Sequence, residues 1–400
     1  MKISAARLAN LAVVFVFTAP FAWTASQNWT VTPSLSPGST NFLAGVAAIS
    51  RTDAWAVGYD YDSNDHLLTI TEHWDGSKWN IVASPNPGTT KNCGDATYAG
   101  NALYGVAAVS STDVWAVGQI CTYSESRTLT EHWDGTKWKV IPSPNEPGLN
   151  NASTLVAVVA VSTNDVWAVG NYEVLGGYEW KTFVEHWNGT KWSIVDTPNP
   201  SGAYENFLNA VVATSATDVW AVGYSVGNVS TTYQVPLIEH FDGTSWTIVA
   251  SPFPAPSDFN ALYGAVAISA DDIWAVGYAN ENTQSENGQA LLEHWDGTQW
   301  SLVDSPIAGN ATLLLAASAL SSSDVWGVGY IQTSDVQFLP VTEHWDGSSW
   351  KVVTPPDPGA VAQLFGMEAV NGRVWAVGAF SASPMRFGYM ENPRTLALRR

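Results

Sequence analysis

Residues Leu103–Pro144 read LYGVAAVSSTDVWAVGQICTYSESRTLTEHWDGTKWKVIPSP: a run of small apolar residues, a Ser-x-x-Asp turn, a Trp-centred run, a loop, then two short runs around Asp134-Gly135. The same order comes back six more times. The central tryptophans are Trp55, Trp115, Trp167, Trp220, Trp274, Trp326 and Trp375, at spacings of 60, 52, 53, 54, 52 and 49 residues. A period of about 50 residues marks an array of like units, each too small to bury its own faces, so that neighbours must stack.

Each unit holds four short runs, which in the quoted segment are Gly105–Ser110, Val114–Gly118, Thr128–Trp133 and Trp138–Ile141. They are rich in Val, Trp and Thr and bounded by Ser, Asp, Gly and Pro, which predicts strands. Alternation puts Trp115 and Val117 on one face of the second strand and Val114, Ala116 and Gly118 on the other. Both faces are apolar. A sheet with a bulky face and a small-residue face buries both if the sheets stack around an axis, the bulky face of one on the small face of the next. The expected fold is therefore all-β, a seven-bladed β-propeller of four-stranded antiparallel blades.

The chain ends extend that expectation. The seventh unit runs LFGMEAVNGRVWAVG and then RFGYMENP without a Trp-x-Val run, while NWTVTPSLSPG near the N-terminus places Trp29 in that register. The N-terminal strand is expected to complete the last blade and so remove an exposed edge. Asn371-Gly372 replaces the Ser-x-x-Asp turn with a tight hairpin signal. The expected organisation is a signal peptide or N-terminal anchor over 1–26, one propeller over 27–393 and a basic tail over 394–400.

On these motifs the chain from about Gln27 to Pro393 resembles the seven-bladed propeller repeats of secreted bacterial proteins, similar in layout to kelch and Asp-box propellers. It lacks the kelch Gly-Gly pair and the Asp-box order, and in EHWDG the Trp-Asp stands before a turn, unlike a WD40 repeat. The resemblance implies fold and not activity.

A net charge of -20, from 16 Lys+Arg against 36 Asp+Glu, argues against nucleic acid and anionic membrane as partners. Lys2 and Arg7 precede an apolar stretch from Leu8 to about Ala22, the form of an export signal, with Trp23 in an imperfect cleavage site. A secreted or cell-surface location follows, with membrane attachment only if this segment is retained. The pair Cys93 and Cys121 suits one disulfide in an oxidising compartment.

Six histidines share one register: His73, His132, His186, His240, His294 and His344. Each belongs to a different blade, so they read as structural, bonded to turn acids such as Asp113. Glu72, Glu131, Glu185, Glu239, Glu293 and Glu343 beside them carry the same reading. In an antiparallel meander of strands A to D, the A–B and C–D turns share one face of the disc; here they are short and uniform. The B–C loops and D–A connections share the other face and vary, which places function there. Candidate ligand contacts on that face are Tyr59, Tyr61, Asn101, Tyr178, Trp180, Asn260 and Tyr278, aromatic rings and amides suited to protein or glycan surfaces. Asn41 and Asn206 share the register of Asn101 and Asn260, and all four could instead cap the start of the first strand. Asp60, Asp62 and Asn64 resemble the opening of a calcium loop without its Gly or closing Glu, making calcium the one possible cofactor.

Eight arginines are too few and too scattered for a sialidase-type cluster, and no G-x-S-x-G or P-loop is present. The sequence thus predicts a monomeric binding or interaction module whose partner is an extracellular protein or glycan. The alternatives are a carbohydrate-active hydrolase or lyase at the channel mouth, drawing acids from Asp60, Asp62, Glu173 or Glu179, and a multivalent lectin.

Overall fold

The computed structural model describes residues 29–64, 66–88, 100–122, 125–146, 152–174, 179–227, 233–254, 259–280, 288–306, 308–334, 337–385 and 390–400. The chain begins with a short strand, β1 (Thr30–Val31). The first unit follows as β2 (Thr40–Ser50), β3 (Asp53–Tyr61), β4 (Leu67–Trp74) and β5 (Trp79–Ile81), and the second as β6 (Asn101–Ser110), β7 (Asp113–Thr122), β8 (Glu125–Trp133) and β9 (Trp138–Val140). The third is β10 (Ser153–Ser162), β11 (Asp165–Val174), β12 (Glu179–Trp187) and β13 (Trp192–Ile194); the fourth is β14 (Glu205–Ser215), β15 (Asp218–Val226), β16 (Gln234–Phe241) and β17 (Trp246–Val249). The fifth is β18 (Phe259–Ser269), β19 (Asp272–Asn280), β20 (Gln289–Trp295) and β21 (Trp300–Leu302); the sixth is β22 (Ala311–Ser321), β23 (Asp324–Ser334), β24 (Gln337–Trp345) and β25 (Trp350–Val352). The last strands are β26 (Val361–Val370), β27 (Arg373–Ser381) and β28 (Arg394–Arg399).

Every unit is a four-stranded antiparallel meander, and the last is ordered β1-β28-β27-β26, so the N-terminal strand supplies its outer edge. Single parallel bridges, Leu67–Gly100, Trp180–Glu205, Gln234–Phe259 and Gly288–Ala311, tie the third strand of one unit to the first strand of the next. The innermost strands pack side by side from β2 through β6, β10, β14, β18 and β22 to β26, and β26 packs in turn against β2.

The cores lie between units. Trp55 and Val57 pack with Val114, Ala116 and Trp138 of the next unit, the bulky face of one on the small face of its neighbour. Trp55 meets Trp133 at 4.7 Å and, edge-on, Trp138 at 5.2 Å. The arrangement repeats at Trp115 with Trp187 and Trp192, at Trp220 with Trp295 and Trp300, and at Trp274 with Trp345 and Trp350. Around the closure, Trp326 meets Trp29 edge-on at 5.7 Å, and Trp375 meets Trp74 at 5.1 Å and Trp79 at 5.2 Å.

One expectation is corrected. Residues 394–400 are no tail: Arg394–Arg399 is the third strand of the seventh unit, paired with β27 on one side and β1 on the other. Leu396, Ala397 and Leu398 are fully buried in it, so its arginines belong to a core-facing strand. Arg399 stands opposite Trp375, the register held by His in the other units, and Arg400 lies 4.3 Å over the Trp326 ring, where the neighbouring units place Trp or Phe.

The turns follow their residue chemistry. Asp134 Oδ1 accepts from the backbone N of Thr136 at 2.9 Å and of Lys137 at 3.0 Å, while Gly135 takes φ +87°. At the hairpin of the seventh unit Asn371 and Gly372 both have positive φ, 50° and 72°, as a type I′ turn requires.

Candidate functional site

The site is built on a bulge repeated in every innermost strand. Register shifts fall between Leu103 and Gly105, and between the equivalent residues of the other six units. Gly118 opposite is what permits this: a Cβ there would lie 1.9 Å from the Ala102 carbonyl oxygen. The VWAVG motif therefore ends in Gly because the backbones touch, and the bulge is left with one unpaired residue per unit. These are Ala44, Tyr104, Val156, Asn209, Tyr263, Leu315 and Phe365. Six of them, all but Ala44, line one central cavity of about 170 Å³ to which all seven innermost strands contribute.

Toward the variable face, rings from neighbouring units run together. Phe365 lies 6.3 Å from Phe42, Phe42 5.2 Å from Tyr59, and Tyr59 6.1 Å from Tyr104. A second arc runs from Trp180 to Phe207 at 6.0 Å, to Tyr224 at 5.0 Å and to Tyr263 at 6.3 Å. Burial, with the nearby Tyr59, holds the Tyr104 phenol well above its usual range. Burial followed by Tyr224, Tyr330 and Tyr278 does the same for Tyr263. These phenols stay neutral donors and acceptors at any working pH. All of these rings are half-buried.

Of the residues singled out from sequence, Tyr59, Trp180 and Tyr278 belong to this aromatic mouth, and Tyr61 lies 6.3 Å from Tyr59. Asn101 and Asn260 are corrected: they are 2% and 0% exposed, and a ligand on the face cannot reach them. Asn101 Oδ1 accepts the Gly88 N–H at 2.6 Å, and Asn41 binds both the N–H and the carbonyl of Gly38. Both amides clamp the D–A connection to the start of the first strand. Tyr178, Cys93 and the segment 1–26 lie outside the described residues; Cys121 is buried within β7.

The calcium reading fares poorly. Asp62 Oδ1 accepts backbone N–H groups of Asn64 at 2.7 Å and His66 at 3.0 Å, and its Oδ2 lies 3.0 Å from His66 Nδ1. Both oxygens close the hairpin. Asp60 is buried, which together with Asp62 raises its pKa to about 6. Among the described residues no group of three or more His, Cys, Asp or Glu is placed to hold a metal.

The repeated polar residues lie away from the mouth. His132 Nε2 lies 2.8 Å from Asp113 Oδ1, and its ring packs 4.5 Å from Trp115. The other five histidines sit 2.7–2.9 Å from Asp53, Asp165, Asp218, Asp272 and Asp324. The six glutamates are 0% exposed, and five of them meet a hydroxyl from the preceding unit's outer connection. Ser34 donates to Glu72 at 3.2 Å, Ser251 to Glu293 at 2.8 Å and Ser305 to Glu343 at 3.2 Å. Thr197 bonds Glu239 and Ser143 bonds Glu185 in the same way, whereas neither Glu131 oxygen has a partner. Burial raises Glu72 to about 7 and Glu131, Glu239, Glu293 and Glu343 to about 8. In the seventh unit Leu398 takes the Glu register opposite Ala376, and the preceding connection carries Pro355 in place of the hydroxyl. Carboxyl and hydroxyl are lost together there.

Sequence reasoning missed Tyr104, Tyr263 and Phe365, which read as ordinary members of an apolar strand. A signal was present: their position varies from Ala to Asn to Phe, while the Leu before it is constant.

No family model matches the chain, and no curated protein matches it. Solved structures share its architecture, two of them as follows. YCF48 bound to a D1 peptide superposes with a TM-score of 0.51 at 12% identity, over 93% of this chain and 96% of that one. A protein of unknown function from Dyadobacter fermentans gives 0.50 at 9% identity, over 93% and 98%. At these identities the likeness concerns fold, and it identifies an all-β, propeller-type architecture.

Proposed function

We propose that the seven units close into a seven-bladed propeller that serves as a peptide-binding module, and that an extended segment of a partner protein lies across the aromatic mouth on the B–C and D–A loop face. The observation that carries this reading is the pair of aromatic arcs, Phe365–Phe42–Tyr59–Tyr104 and Trp180–Phe207–Tyr224–Tyr263, around the central cavity. Rigid rings with polar tips give large contact area at little entropic cost. Glu173, Glu179 and Glu205 belong to the same face, and the net charge of -20 favours a partner segment with basic residues. YCF48, whose fold this chain shares, has been solved with a peptide, which supports the same class of ligand. The N-terminal segment fits export to the cell surface or beyond, where the partner would be met.

Selection from a random peptide library with the chain from residue 27 onward, followed by calorimetric titration, tests the proposal. Selected peptides should share basic and aromatic positions and bind at least about tenfold more weakly to Tyr104→Ala and Tyr263→Ala. Selection of no peptide, or binding indifferent to both variants, would rule the mouth out. A glycan array with the same variants separates the carbohydrate readings: glycan binding lost in Tyr104→Ala would replace the peptide.

A further inference from the structure

A second cavity, of about 580 Å³, opens where the connection after β1 passes the last strand of the seventh unit. Its lining includes Thr32, Ser34, Ser36, Ser39, Thr395 and Arg394. No Asp or Glu lines it, in a chain with 36 acids against 16 bases. We propose that it binds a sugar acid, a uronate of one or two residues, with the carboxylate on Arg394.

Two features carry the assignment. The first is Arg394 itself. Arg51 donates to the Asn371 carbonyl, Arg373 to the Arg51 carbonyl, Arg399 lies over Trp74 and Arg400 over Trp326. Arg394 is exposed and has no ion pair or side-chain hydrogen bond among the described residues. A planar guanidinium held beside hydroxyls is a carboxylate receptor.

The second is the wall. Ser34 Oγ lies 2.7 Å and Ser36 Oγ 3.1 Å from Thr395 Oγ1, so these groups are fixed before any ligand arrives. Hydroxyls both donate and accept, as sugar hydroxyls do, while Phe380 offers a ring to the apolar face of a pyranose. The volume lies within the usual range of small-ligand sites.

Titration calorimetry of the chain from residue 27 onward with glucuronate and galacturonate tests this, against glucose and against an acetylated dipeptide in free-acid and amide forms. Expected is saturable uronate binding that weakens with salt, no glucose binding, and a loss of about tenfold or more in Arg394→Gln, at unchanged Tm. Tyr104→Ala should leave it unchanged, which separates this site from the mouth. No uronate binding, uronate binding unaltered by Arg394→Gln, or preference for the free-acid dipeptide would each overturn the proposal.

Discussion

At the scale of single residues the polar repeats divide into those that hold the fold and those free to act. His132 bonds Asp113 at 2.8 Å and stacks on Trp115, so it fastens the A–B turn to the third strand. Replacing it with Leu leaves Asp113, 7% exposed, without its partner. We expect a loss of about 1–3 kcal/mol in urea denaturation and no change in peptide affinity; unaltered stability would deny the structural role. Ser251→Ala should cost a comparable amount by stripping the Glu293 carboxyl of its donor, whereas Glu293→Gln should be nearly neutral, since burial already favours the protonated acid. The hydroxyl–Glu pairing could not be read from spacing, because its partners lie about 40 residues apart in neighbouring units. It became visible once the stacking was known, and the joint exception at Pro355 and Leu398 then made sense.

Among the elements, the strands of the first six units were legible because their periodicity and turn residues are explicit. VWAVG alternates, Asp-Gly closes the C–D hairpin, and Asn371-Gly372 closes the exceptional A–B one. The N-terminal strand was legible for the same reason: Trp29 keeps the Trp-x-Val register, and β1 does pair with β28. Residues Arg394–Arg399 were not legible, since RTLALR has Arg where the repeat has His and Trp, and the motif was lost although its buried Leu-Ala-Leu was kept. Trp29→Ala should cost about 3–5 kcal/mol, the usual range for a buried Trp, because Trp29 alone meets Trp326 from the closing strand. Equilibrium unfolding checks this, and a cost below about 1 kcal/mol would mean that the N-terminal strand contributes little to closure.

For the whole molecule, the buried glutamates set a pH dependence. Their folded pKa values, about 7 for Glu72 and about 8 for Glu131, Glu239, Glu293 and Glu343, exceed the unfolded value of about 4.3. Between those limits the native state holds more protons than the unfolded one. Stability from these groups is therefore full below about pH 4 and declines as pH rises through about 8. Asp75, Asp134 and Asp346 are shifted down by turn hydrogen bonds, so their contribution is lost only in stronger acid. Tm should peak in mildly acidic buffer and fall toward pH 8, with a shallower fall in Glu293→Gln. A Tm that rises from pH 5 to 8 would contradict the burial of these acids. The mouth was only partly legible at this scale, because its rings converge from different units and only the bulge brings Tyr104 beside Tyr59, Tyr263 beside Tyr224 and Phe365 beside Phe42.

The most direct test of the binding face is hydrogen-exchange footprinting of the chain with a library-selected peptide. Protection is expected in the segments bearing Phe42, Tyr59, Tyr104, Phe207, Tyr224 and Tyr263, with the A–B and C–D turns unchanged. Protection confined to those turns, at Asp134-Gly135 and its equivalents, would place binding on the opposite face and contradict the account.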